Sequence, residues 1–273
     1  MTTFTAPDGS ELSYVAFEPD FPKSAVLFLP GWSDHGGRWT HVGERLVHEG
    51  VATYLLDLRG HGRSAGPRGH LARFSQLLGD LQAFRRMVRQ RTTVPQVLLG
   101  HSFGGLVVLR YLETQPSDVV AGAAVTSPYL GLTFQPPAWK LAAGRLLADL
   151  WPTLAIPTGL RGEDLVRDPV AASQYDTDPL VHHRMTTGAW REIQWAQRAV
   201  AADARRIECP LLLLLAGEDR IVDAARARDF AGSLTAEVDV RWYPEMYHEL
   251  LLDPQRARVL DDITTYLRDR DLA

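Results

Sequence analysis

Residues 97–111, VLLGHSFGGLVVLRY, restrict the fold more than any other stretch. A short apolar run ends at Gly100, a serine follows between glycines, and a segment with helical apolar spacing begins at once. An apolar run of this length reads as a strand buried on both faces, and the segment behind it as a helix. Glycine on either side of Ser102 suits a sharp strand-to-helix turn, where backbones approach closely and the hydroxyl stands clear of the sheet.

The same alternation recurs along the chain. SAVLFLP, VATYLLD, VVAGAAVTSP, PLLLLLAGED and EVDVRWYP read as strands. Helical segments are expected over about 39–48, over 74–88 with Phe74, Leu77, Leu81, Phe84 and Val88 on one face, and around 224–230. A last helix is expected with Asp253 as its cap and Pro254 at its first position. FTA-PDGS-ELSYVAF reads as an edge hairpin around Asp8-Gly9. The expected class is α/β: a mostly parallel central sheet flanked by helices. The alternation stops at Pro128. Residues 1–127 and 203–273 are read as the core, and 128–202 as a mainly helical cap inserted over the carboxyl edge of the sheet, where open α/β sheets bind ligands.

Composition narrows the function. The 273 residues are 45% hydrophobic with a formal net charge of −4, so no basic face is implied and nucleic acid is not an expected partner. Cys209 is the one cysteine, which rules out an intrachain disulfide and makes a reducing, cytoplasmic setting the default. The opening MTTFTAPDGSEL has neither the basic nor the apolar region of a signal peptide, and no apolar run is long enough to span a bilayer. HEGVA and HELLL lack the second histidine of a zinc motif, and there is no Walker loop. The adjacent His182 and His183 read as a solvated surface pair. GHGRSA only loosely matches a dinucleotide fingerprint, and Pro67 and Gly69 interrupt the helix it needs. No metal and no cofactor are expected.

Gly-x-Ser-x-Gly occurs twice, at Ser102 and at Ser64 in GRSAG, whereas chance supplies roughly 0.1 matches in a chain of this size. Ser64 lies in a polar, glycine-rich stretch with Pro67 behind it and no helix to follow. Ser102 has the strand and the helix, so it is the expected nucleophile. A serine hydroxyl needs a base, and the base needs an orienting carboxylate. On a sheet of this kind they follow in the order Ser, Asp/Glu, His. Asp219 lies just past a buried strand and His248 in the loop after the next, so both open on the same sheet edge as Ser102. Asp223 is expected to cap a helix, and Glu218 is the less suitable neighbour. The oxyanion donors are expected to be the backbone N–H groups of Phe103 and of Trp32, in the loop after VLFLP.

With LPGWSDHGGRW, DLRGHGRSAGPRG, GHSFGG and GEDRIVD…YHELL in hand, and YDTDPLVHHR as a fifth stretch, the chain resembles the α/β-hydrolase superfamily, within it the monoacylglycerol lipase and lysophospholipase-like group. Pro30 stands where that group more usually has histidine. The resemblance implies that Asp34 and Arg38 serve near the polar headgroup of the substrate; a mutual surface ion pair is the alternative. It also implies a serine hydrolase that cleaves esters of one acyl chain, with a small ester or monoacyl lipid as partner. The cap stretch 129–156 carries many Leu and Trp residues, which either pack the cap down, line an acyl tunnel or touch a membrane or micelle. A small-molecule carboxylesterase or thioesterase is the alternative enzyme, and a non-catalytic binding protein on the same fold the alternative class.

Overall fold

A computed structural model describes residues 2–115, 119–134 and 137–273; Gln135 and Pro136, within the apolar cap stretch, lie outside the described residues. The core strands are β1 (Thr2–Thr5), β2 (Glu11–Phe17), β3 (Ser24–Leu29), β4 (Val51–Leu56), β5 (Gln96–His101) and β6 (Gly122–Thr126). Helices α1 (Thr40–Val47), α2 (Phe74–Arg91) and α3 (Phe103–Thr114) lie between them. After β6 come α4 (Ala138–Leu150), β7 (Ala155–Pro157), α5 (Gly162–Leu165), α6 (Pro169–Thr177), β8 (Arg184–Thr186) and α7 (Thr187–Asp203). The chain ends with β9 (Leu211–Ala216), α8 (Ala224–Ser233), β10 (Val238–Tyr243) and α9 (Arg256–Arg268).

Eight strands form one sheet in the order β1-β2-β4-β3-β5-β6-β9-β10. The β1–β2 and β2–β4 pairs are antiparallel and the other five are parallel. The apolar runs are continuous because both faces are covered. Leu27, Leu98 and Leu213 point into a core with α2, α3 and α7, whereas Val26, Leu99 and Leu212 point into a second core with α1 and α9. From β3 the chain first moves to β4 on one side and then to β5 on the other. This reversal of direction opens a crevice at the carboxyl ends of β3 and β5.

Two expectations need correction. The segment between β6 and β9 is not helix and loop alone, since β7 and β8 form a two-stranded antiparallel sheet. Strands of three residues carry too little sequence for a period to show. The last helix begins at Arg256, not at Pro254. The Asp253 carboxylate accepts the Gln255 N–H at 2.9 Å inside a preceding turn and holds Arg167 at 2.7 Å through both oxygens. Asp253 thus ties the α5–α6 region to the core.

Candidate active site

Ser102 sits at the junction of β5 and α3 with φ +52° and ψ −112°, a left-handed backbone that is strained for a non-glycine residue. Its N–H is held by Thr126 O at 2.9 Å. The flanking glycines make room for this turn. A Cβ on Gly104 would lie 2.1 Å from Leu29 O, and one on Gly100 would lie 2.6 Å from Gly104 O. Ser64 is elsewhere: its hydroxyl donates to Asp57 O and accepts from Ser13 N, both short contacts that fasten a loop.

Asp219 and His248 meet 2.8 Å apart, Oδ2 against Nδ1, with both side chains almost fully buried. The other carboxylate oxygen accepts the N–H groups of Ile221 and Val222 at 2.8 Å each, so the turn after β9 fixes where the carboxylate points. An acceptor on Nδ1 puts the proton there and leaves Nε2 available as a base. The Ser127 hydroxyl donates to His248 O at 2.9 Å and steadies the loop after β10. Ser102 and His248 line one cavity. Among the described residues no hydrogen bond yet joins the hydroxyl to the ring, a contact that often closes only when substrate binds. Asp223 caps α8 by accepting the Ala225 N–H at 3.0 Å, and Glu218 is exposed.

Trp32 and Phe103 follow the ends of β3 and β5, and their rings meet edge to face at 5.0 Å. Neither backbone N–H has a hydrogen-bond partner among the described residues. The Trp32 indole donates to Arg184 O at 3.1 Å, so the start of β8 also holds it. The cavity has a volume of about 280 Å³ and one predominantly apolar wall, which includes Leu132, Ile156, Met185, Trp190 and Val222.

Asp34 and Arg38 do form an ion pair, at 2.9 Å, but it is not at the surface. The Asp34 side chain is 3% exposed and that of Arg38 7%. Glu249 clasps Arg38 with both carboxylate oxygens at 3.0 Å, and the guanidinium lies over the Tyr175 ring. Asp34 also accepts the N–H of His35 and the indole N–H of Trp39. Burial pushes the Asp34 carboxyl up, against the pull of Arg38. His182 is likewise not a solvated neighbour of His183: it is 7% exposed and packs on Trp32 and His61, its ring 4.7 Å from that of His61. His183 alone is exposed.

Sequence reasoning missed Glu249, Tyr175 and His101, all of which line the cavity. The position of Glu249 directly after His248 was the one signal available for it. His101 packs 4.9 Å from the His248 ring, and burial together with that neighbour holds it well below the ordinary histidine range, so it is neutral.

A family model described as serine aminopeptidase, S33 (Hydrolase_4) matches residues 20–255, the greater part of the chain. The chain belongs to this family. A monoacylglycerol lipase of Mycolicibacterium smegmatis is 31% identical to this hydrolase, over 97% of the chain and 95% of its own length. Lysophospholipase L2 of Escherichia coli is 29% identical, over 81% of the chain and 71% of its own. Among solved structures, the monoacylglycerol lipase of Paleococcus ferrophilus superposes with a TM-score of 0.86 at 29% identity, covering 95% of the hydrolase and 99% of that chain. The fold is that of the α/β-hydrolases.

Proposed function

We propose that the protein hydrolyses carboxylic esters of a single acyl chain, with monoacylglycerols or lysophospholipids as the substrate class, through an acyl-enzyme. Ser102 Oγ attacks the ester carbonyl while His248 Nε2 takes its proton. Asp219 holds the imidazole in the required tautomer and stabilises its protonated form. The N–H groups of Trp32 and Phe103 receive the oxyanion. His248 then protonates the departing alcohol, and water repeats the sequence to release the acid.

The observation that carries this is the Asp219–His248 pair opening, with the strained Ser102 turn, into one cavity with an apolar wall. Such a wall suits an acyl chain better than the peptide named in the family's description. The names of the relatives point the same way.

The 128–202 cap is read as the lipid-facing part. Trp139, Leu146, Leu150 and Trp151 are exposed on and after α4, and of α4 only Ala148 is buried. That apolar face supports transient contact with a membrane or micelle. No helix among the described residues is long and apolar enough to cross one. A cytoplasmic setting remains our reading from the lone cysteine.

A fluorophosphonate probe should label the wild type and leave Ser102→Ala unlabelled. Hydrolysis of monoacylglycerols should rise about fourfold in kcat/KM per added methylene, then level off as the cavity fills. An unlabelled wild type leaves a binding protein, and a flat chain-length profile leaves a small-ester hydrolase.

A further inference from the structure

A second cavity, with a volume of about 310 Å³, shares no lining residue with the first. Arg68 lines it from the loop after β4, and His182, His183 and Arg184 line it from the stretch that leads from α6 into β8. No aspartate or glutamate lines it among the described residues. Asp178, which opens the stretch, is engaged elsewhere, by His35 Nε2 at 3.0 Å and the Leu180 N–H at 2.8 Å. The two arginines are brought together by a close approach of their backbones. A Cβ on Gly69 would lie 2.8 Å from Arg184 Cγ, and Thr186 N–H donates to Gly69 O at 2.8 Å. Arg68 donates to Ser64 O at 3.0 Å and Gly62 O at 2.5 Å, neutral acceptors that fasten the guanidinium without cancelling its charge. It keeps further N–H groups to give. Among the described residues neither arginine is ion-paired, and the Arg184 side chain makes no hydrogen bond.

We propose that this second cavity is a phosphate-binding site in which the Arg68 and Arg184 guanidiniums clamp one phosphate group, either free phosphate or the headgroup of an anionic lipid. Planar guanidiniums match phosphate oxygens in pairs, and the His183 imidazole adds an N–H donor. Two fixed positive charges with no carboxylate beside them suit a group that carries a charge of about −1.5 to −2 and three acceptor oxygens. A carboxylate brings half the charge and fewer oxygens. The site lies behind the catalytic loop. Arg184 O holds the Trp32 indole, Ser33 O accepts the His182 N–H at 3.3 Å, and the Trp32 and His182 rings meet edge to face at 5.8 Å. The proposal does not depend on the ester-hydrolase reading, because no catalytic residue lines this cavity.

The test is titration calorimetry with inorganic phosphate at about 0.15 M salt, where loose surface charge is largely screened beyond ~8 Å. Beside it runs co-sedimentation with phosphatidylcholine vesicles that do or do not contain phosphatidic acid. Wild type and Ser102→Ala should bind equally, and Arg184→Gln and Arg68→Gln should each bind about tenfold or more weakly, since each loses a charged hydrogen-bonding partner. Acetate should bind the wild type at least about tenfold more weakly than phosphate does. Binding of inorganic phosphate makes free phosphate the occupant; binding only to vesicles with phosphatidic acid makes it the headgroup, with the same loss in both variants. Urea unfolding checks that the variants fold. Where Arg68→Gln does not, the exposed Arg184 decides alone. A wild type that binds neither probe overturns the site. So does binding that survives in Arg184→Gln or in a folded Arg68→Gln, because the clamp needs both arginines. Acetate bound as tightly as phosphate overturns the choice of phosphate, and binding lost in Ser102→Ala places the anion in the first cavity and overturns the site.

Discussion

Acidification from pH 7 to pH 5 charges histidines in the unfolded chain but leaves His61 and His182 neutral in the folded one. Burial pushes His61 down to about 4 and His182 down to about 3, from an ordinary value of 6.5. The His61 ring and the Arg68 guanidinium press the same way on His182. His61 Nδ1 lies 2.8 Å from Arg59 O and must carry a proton, so Nε2 is bare and has no hydrogen-bond partner among the described residues. Both His182 ring nitrogens are also buried without a hydrogen-bond partner among the described residues. Between about pH 4 and 6.5 the unfolded state therefore binds more protons, and stability falls as the pH falls. The histidine contribution is fully present above pH 6.5. At pH 5 each ring costs about 2 kcal/mol, roughly 4 kcal/mol for the pair, a large share of the ~5–15 kcal/mol that holds a domain folded. The rings touch, so the loss is read as a property of the pair. Urea unfolding at both pH values measures it. His182→Phe keeps the packing against Trp32 and removes one titrating ring, so the drop between pH 7 and pH 5 should shrink by about 2 kcal/mol. A variant whose drop equals that of the wild type would refute the assignment.

Asp219→Asn should lower kcat by roughly 10⁴ while leaving urea unfolding nearly unchanged, because it alters the tautomer that His248 adopts; steady-state kinetics beside a denaturation curve reads both. Ser64→Ala should do the reverse of Ser102→Ala. It leaves the buried Ser13 N–H unsatisfied and should cost about 1–3 kcal/mol of stability, yet keep fluorophosphonate labelling. A Ser64→Ala protein that folds but no longer labels would reopen the choice between the two serines.

The parts of the fold and site that were legible have local causes. Strand β9 reads as a strand because consecutive leucines can all be buried only between two covered faces, and Leu211, Leu213 and Leu215 do enter one core while Leu212 and Leu214 enter the other. Ser102 was legible because the steric demands of its turn fall on Gly100 and Gly104, within two residues of it. Asp219 and His248 were reached through chain order and strand ends. The burial of Arg38 was not legible, because Glu249 is 211 residues away in the chain. Nor was that of His182, whose neighbours Trp32 and His61 come from loops after two other strands.

The amino-acid sequence alone determined the strand–helix alternation, the tight turn that presents Ser102, and the order of an acid and a base behind it. Periodicity and glycine sterics act over a few residues, so they are written where they act. Only the tertiary structure decided which carboxylates line the cavity and that their ion pairs are buried. Desolvation and Coulomb attraction depend on which distant side chains share a site, and that is set when the segment between β6 and β9 and the loops after β3 and β10 come together.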